Sequence, residues 1–249
     1  MAAPNVIFCS FQNAGASGID PILQDLLSHK GYFLTPFGPE ETSARFRQEL
    51  AGGQIRQPFY HWTHDAIGTF DGLVGSERYR FIYLHRDPRD VAVSIAFDYQ
   101  KRGFAADRTF DAILEMLVLV LLPVQVREAR QWVDSGCLVI TFEQMKQDTA
   151  GLIDRILPHI DYTAVDPALA GKPLSPVEIA AVIEKHSFER VTGRKRGDDG
   201  EIIRSQYMFR KGVSGEWKKH FSKDLARKCE VLYGRELRAL GYPPDGDAS

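Results

Sequence analysis

Phe81-Ile82-Tyr83-Leu84-His85-Arg86-Asp87-Pro88-Arg89-Asp90-Val91-Ala92-Val93-Ser94 is the stretch that decides the fold. Its first four residues are apolar, aromatic or β-branched, the composition of a strand covered on both faces. Asp87-Pro88 then supplies a helix N-cap and the proline that suits a first helical turn, where the missing N–H costs nothing. Residues 6–11 and 138–142 repeat the pattern, each run preceding a helical stretch. That alternation predicts an α/β chain with a central parallel sheet, because a parallel crossover needs a helix-length connection.

The 249 residues are 44% hydrophobic and 26% charged, with no internal repeat or low-complexity linker, so a single domain over 1–249 is expected, frayed at 243–249. Lys and Arg number 31 against 33 Asp and Glu, a net charge of -2 that lacks the broad positive field of a general nucleic-acid binder. Any anion site is therefore local. Cys9, Cys137 and Cys229 are few, odd in number and without metal-ligand spacing, which argues for a reducing compartment and against zinc. The apolar run at Val6 has no basic leader, and the uncharged stretch 116–124 is short of the roughly 20 residues that cross a bilayer. A cytoplasmic chain with no membrane or nucleic-acid partner is expected.

Ser175-Pro176 repeats the cap device, and Ser222 can cap a helix reaching Leu240. Residues 110–133 read as one helix, apolar on most sides and hence buried, kinked at Pro123. Residues 194–201, rich in charge and glycine, read as a mobile loop.

Ligands of open parallel sheets bind beyond the carboxyl ends of the strands. After the first run comes Ser10-Phe11-Gln12-Asn13-Ala14-Gly15-Ala16-Ser17-Gly18, small residues whose N–H groups can converge on a phosphate at the positive end of a helix. The stretch is neither a Walker A loop nor a Gly-x-Gly-x-x-Gly turn, and without a Walker lysine a nucleotide kinase is disfavoured. Two alternatives stand beside phosphate binding: Ser17 and Asp20 can cap the helix internally, or Asp20-Pro21 can start it beyond the glycines. After the second run, Arg86 sits at the strand end and Ser94 two helical turns further on. A guanidinium fork with a hydroxyl suits a phosphate, whereas the alternative is a surface pairing of Arg86 or Arg89 with Asp87 or Asp90.

Here the residues resemble the cytosolic, PAPS-dependent sulfotransferase family, PAPS being 3′-phosphoadenosine 5′-phosphosulfate. The family's 3′-phosphate motif is Tyr-x-x-Arg-Asn-Pro-Arg-Asp-Val-x-Val-Ser, matched from Tyr83 to Ser94 with Asp87 in place of Asn. Phe209-Arg210-Lys211-Gly212-Val213-Ser214-Gly215-Glu216-Trp217-Lys218-Lys219-His220-Phe221 is similar to its Arg-Lys-Gly-x-x-Gly-Asp-Trp-Lys-Asn-x-Phe signature. Phe142-Glu143-Gln144-Met145-Lys146 resembles Tyr-Glu-Asp-Met-Lys, and His186-Ser187-Phe188 stands where the family has Thr-Ser-Phe. The resemblance implies a three-layer, P-loop NTPase-like sulfotransferase fold, PAPS as donor with adenosine 3′,5′-bisphosphate as product, and no metal. Arg86, Ser94 and Arg210 are implied to hold the 3′-phosphate, with Lys211 and Gly212 closing the pocket. Ser187 and Phe188 are implied to meet adenosine, and His64 to be the catalytic histidine, with His61 its rival three residues away. Imidazole suits that task because its unperturbed pKa of about 6.5 lets it take a proton near neutrality.

The 5′-phosphosulfate loop departs from the family's Tyr-Pro-Lys-Ser-Gly-Thr-Thr-Trp. Asn13 replaces a lysine whose charge stabilises the departing bridging oxygen, and losing such a group can cost about 10²–10³ in rate. Gly15, Ala16 and Ser17 keep the turn and one hydroxyl. Gly18 replaces a tryptophan, Phe142 lacks a tyrosine hydroxyl, and Trp62 stands at a second lysine position. The reading is transfer of a sulfuryl group to a hydroxyl or amine of a small hydrophobic or aromatic acceptor. The alternative is a weak or inactive nucleotide-binding protein on the same scaffold. Acceptor contacts are expected from 31–53, 68–75 and 194–208, including Phe33, Phe37, Phe46 and Phe70, and a charged Lys223 in the family's dimer motif leaves the oligomeric state open.

Overall fold

The computed structural model describes residues 3–35, 48, 57–164, 166, 169–198, 200, 202–204 and 207–243. Along the chain run β1 (Asn5–Ser10), α1 (Asp20–Lys30), β2 (Phe33–Leu34), β3 (Phe59–Thr63), β4 (Tyr79–His85), α2 (Pro88–Arg102), α3 (Phe110–Val120) and α4 (Leu122–Asp134). There follow β5 (Leu138–Thr141), α5 (Phe142–Gln147), α6 (Thr149–His159), α7 (Pro176–Lys185), α8 (Phe188–Thr192), β6 (Ile202–Arg204), β7 (Tyr207–Phe209), α9 (Trp217–His220) and α10 (Lys223–Ala239). Two compact units share these elements. The first takes Met1–His85 and Ser135–Val213, the second Arg86–Asp134 and Ser214–Ser249.

The first unit holds the parallel sheet, in the order β2-β3-β1-β4-β5. The three runs read from sequence are β1, β4 and β5. Two strands of this sheet, β2 and β3, were missed. β3, Phe59-Tyr60-His61-Trp62-Thr63, is buried along its whole length because β1 and β2 flank it, yet its polar ring atoms hide the apolar run. Alternate residues Val6, Phe8, Tyr60, Trp62, Ile82, Leu84 and Ile140 turn into one core with Leu23, Leu26 and Leu27 of α1 and Ile153 and Ile156 of α6. Each such leucine or isoleucine, fully withdrawn from water, stabilises the unit by roughly 1.5–3 kcal/mol. Because the chain leaves β1 for one side of the sheet and returns through β4 on the other, the carboxyl end of β1 is the topological switch point.

Caps explain the helix starts. Ser175 and Glu178 form the reciprocal box that opens α7, and Thr141 with Gln144 does the same for α5. In the second unit Asp87 accepts from the Arg89 N–H ahead of Pro88, and Ser222 from Leu225 N–H. The single helix expected over 110–133 is two. The first ends at Val120, and Pro123 falls in the opening turn of α4, where its absent N–H breaks no bond. Nor is that stretch buried all round, since Leu119 and Val120 are 46% and 67% exposed. The end of the described chain is tied down: Arg89 Nη2 donates to the carbonyls of Tyr242 and Pro243 at 3.4 and 3.2 Å. The rest of the tail expected to fray, 244–249, lies outside the described residues.

Candidate functional site

At the carboxyl ends of β1 and β3, Ser10 and His64 meet. His64 Nδ1 stands 2.5 Å from the Ser10 carbonyl oxygen and 3.3 Å from its hydroxyl. A carbonyl can only accept, so Nδ1 carries a proton, and in the neutral form of the ring the lone pair lies on Nε2. Thr63 donates to Asp65 at 2.9 Å and accepts from the Asp65 N–H at 3.1 Å, a local turn that holds the chain as it leaves β3 at His64. Trp62, two residues back on the same face, donates Nε1–H to the Ser10 hydroxyl at 3.1 Å and sets its ring edge-on to His64. Ser10, which the sequence reading assigned no role, is thus the residue that orients the histidine. Its only sequence signal was its place at a strand end. His61 points to the opposite face, fully buried, with Nδ1 2.8 Å from the Thr35 hydroxyl, and burial pushes its imidazole down to about 4.

The loop after β1 makes a 3₁₀ turn, Ala16–Gly18, before α1 begins at Asp20. Of the two alternatives to a helix-end phosphate cradle, the Asp20-Pro21 start is realised, so α1 begins beyond Gly15 and Gly18 and only the 3₁₀ turn lies beside them, and the Ser17–Asp20 cap is not. Asp20 turns inward, where its carboxylate accepts from the Tyr60 hydroxyl and from Gln24 Nε2. Neither the turn nor α1 opens with a side-chain cap, so the positive end of this backbone is not filled by the acidic residue. Asn13 has φ 59°, a left-handed conformation that asparagine tolerates better than most residues. Gly15, φ 99°, is fixed by more than its backbone: a Cβ there would run into the Phe142 ring. At Gly18 a Cβ would meet the Met145 thioether at 2.8–2.9 Å, so methionine fills the space beside that position.

β7 runs beside the 16–18 turn, which brings the segment leaving β7, Arg210-Lys211-Gly212, to the same end of the unit. Gly212 has φ 65° and leans on Phe188, whose ring a Cβ would approach to 2.9 Å. Phe188 is buried and packs edge-on against Phe209. Ser187 caps α8, accepting from the Arg190 N–H at 3.4 Å. The 194–201 stretch expected to be mobile is held at 194–198: Lys195 N–H donates to Asp198 and Gly197 N–H to the Lys211 carbonyl. Charge and glycine mark exposure, but they do not show a backbone paired with a distant segment. Of the aromatic residues offered for an acceptor pocket, Phe70 packs into the core against Phe81, Phe33 is 36% exposed, and Phe37 and Phe46 lie outside the described residues.

In the second unit, Arg86, Asp90 and Ser94 stand four residues apart along one buried ridge entering and following α2. Arg86 approaches Asp90 only to 3.9 Å, while both Asp90 oxygens accept backbone N–H groups, from Gly215 at 2.6 Å and Trp217 at 2.9 Å. Burial raises the Asp90 carboxyl above its ordinary range, the Arg86 charge opposing. Arg89 forks onto Asp87 at 2.8–2.9 Å and stacks on Trp217, 4.0 Å from its ring. The expected pairing of these arginines with Asp87 and Asp90 therefore exists, but it is buried and not superficial. Arg89 and Asp90 build the unit, while Arg86 stands 3.9 Å from the Asp90 carboxylate.

The fold and the switch-point loop place the chain among P-loop-like α/β proteins. Residues 51–241 match the family model for a sulfotransferase domain, and the chain belongs to that family. Human sulfotransferase 2A1 is 26% identical over 75% of this chain and 66% of its own length, and rat sulfotransferase 2A2 is 28% identical over 73% and 64%. A guinea-pig 3-beta-hydroxysteroid sulfotransferase is 25% identical over 76% of this chain and 66% of its own length. The chain thus spans slightly under two thirds of these relatives. Mouse sulfotransferase SULT7A1, solved with PAP, superposes with a TM-score of 0.70 at 20% identity over 94% of this chain and 85% of that one. Retinol dehydratase, solved with retinol and PAP, gives 0.61 at 19% identity over 100% and 84%. These likenesses give the sulfotransferase fold. Among the described residues no helix is long and apolar enough to cross a membrane.

Proposed function

We propose that the chain is a PAPS-dependent sulfotransferase in which His64 takes the proton of an acceptor hydroxyl or amine. The observation that carries this reading is the Ser10 carbonyl on His64 Nδ1, which leaves the basic lone pair on Nε2 and stabilises the imidazolium once it forms. PAPS supplies the sulfuryl group. The 13–18 turn offers backbone donors to its 5′ end, the family resemblance assigns Arg86, Ser94, Arg210, Lys211 and Gly212 to its 3′-phosphate, and Ser187, Phe188 and Phe142 suit adenosine. The fit rests on the 16–18 turn opening without an acidic side-chain cap and on Gly15 and Gly212, whose close approaches exclude any side chain. With Asn13 in the lysine position, aligned reactants and neutral donors carry more of the rate.

For the acceptor we propose a small hydrophobic or aromatic alcohol. The names of the relatives, a hydroxysteroid sulfotransferase among them, support an apolar molecule bearing a hydroxyl. A soluble, cytoplasmic setting fits the same relatives. A second reading, a nucleotide-binding protein with little or no turnover, draws on Trp62, which places an uncharged, hydrogen-bonded indole at the second lysine position.

Incubation of purified protein with radiolabelled PAPS and a panel of phenols, alcohols and amines tests the first reading, which expects labelled product. Micromolar binding of adenosine 3′,5′-bisphosphate by calorimetry, with no product from any acceptor over a range of pH, supports the second.

A further inference from the structure

Four consecutive backbone carbonyls, those of Phe209, Arg210, Lys211 and Gly212, are all bound from one short turn. Arg194 Nη2 donates to Phe209 at 3.4 Å and to Arg210 at 3.1 Å, while its Nη1 closes the turn on Asp198 at 3.2 Å. Gly197 N–H donates to Lys211 at 2.8 Å, and Arg196 Nη1 to Gly212 at 3.3 Å. Both guanidiniums also lie over the Phe188 ring, 5.9 and 5.1 Å from its centre. Thr192 adds a clasp at the base of the turn, accepting from the Arg194 N–H at 3.2 Å.

Holding a carbonyl fixes its peptide plane and therefore the direction of the N–H on the other side of it. Four held in a row order the 210–212 segment, which leaves β7 and, with Gly212 at φ 65°, would otherwise sample many states. We infer that Arg194 and Arg196 are positioning residues that pre-order Arg210-Lys211-Gly212 for the 3′-phosphate of the nucleotide, acting through backbone carbonyls and not by touching the phosphate. The inference rests on the nucleotide reading above. Binding to a segment already ordered escapes the entropy cost of ordering it, so the gain appears in affinity for ligands that use that segment.

Arg194→Lys and Arg196→Lys keep the charge but lose the planar guanidinium with which Arg194 reaches two adjacent carbonyls and Arg196 one. We expect the dissociation constant for adenosine 3′,5′-bisphosphate to rise about tenfold while that for 5′-AMP, which lacks the 3′-phosphate, stays within about twofold. In ligand-free protein, hydrogen exchange at the 210–213 amides should quicken. Arg196→Met, which keeps an apolar stem over Phe188, gives the same comparison should the Arg194 variant not fold. Unchanged bisphosphate affinity in these variants, or equal loss for both ligands, overturns the positioning role and leaves the nucleotide reading standing. A wild-type protein that holds the bisphosphate no better than 5′-AMP overturns that reading, and this inference with it.

Discussion

The Nδ1–H of His64 donates to the backbone carbonyl of Ser10 across 2.5 Å, joining the ends of two neighbouring parallel strands. A backbone acceptor cannot swing away or titrate, so the tautomer is set by the sheet itself. Reactivity at Nε2 is in this way a property of β1–β3 pairing as much as of the histidine.

Substitution of His64 by alanine or asparagine removes that lone pair and leaves the nucleotide contacts in place. Transfer to the best acceptor should fall about 10²–10⁴-fold, the range of one general base, with bisphosphate affinity nearly unchanged by calorimetry. Equal loss of both points to misfolding or to a different role.

Asn13→Lys restores the charge that the family places at the departing oxygen. Turnover of PAPS should rise by about 10-fold or more. Because position 13 has φ 59°, the same change should cost roughly 1 kcal/mol in urea unfolding, lysine being less at ease than asparagine in that conformation. An unchanged rate argues that the 5′ end of the donor does not meet this residue.

Arg86→Ala should weaken bisphosphate binding, while Asp90→Ala should act on stability. Asp90 accepts from two backbone N–H groups, and its loss leaves both donors without their acceptor. Unfolding free energy is expected to fall by about 2–4 kcal/mol, read from denaturant midpoints at constant slope.

His61 makes acid destabilise the fold. Its imidazole is held at about 4 by burial, whereas in the unfolded chain it titrates near 6.5. Above pH 6.5 the ring is neutral in both states and contributes no slope. Between 6.5 and 4 only the unfolded chain binds the proton, so stability declines with falling pH by about 3 kcal/mol in total and levels off below. His61→Gln should flatten that window in urea titrations taken at successive pH values.

Much of the architecture could be read along the chain. The three runs at β1, β4 and β5 were visible because each is locally apolar and each precedes its own helix signal. β3 was not, since His61 and Trp62 look polar until β1 and β2 bury them on either side. Pro123 was read as a kink because sequence shows the proline without showing that the turn before it stops. The 194–198 turn looked unstructured for a related reason: its partners lie at 209–212, and local composition carries no trace of them.

Among the residues proposed for the site, Arg86, Ser94, Arg210 and His64 could be named from motif and position, whereas the Ser10 carbonyl could not, because every residue has one. Which backbone group faces which side chain depends on strand register. Side-chain chemistry and spacing along the chain therefore determined the α/β class, the capped helix starts and the kinds of group available for an anion and a proton. Tertiary structure alone decided that His64 is held through Nδ1, that Asp20 turns away from the loop, and that the 209–212 carbonyls are bound from afar, since each depends on contacts between segments that only pairing and packing bring together.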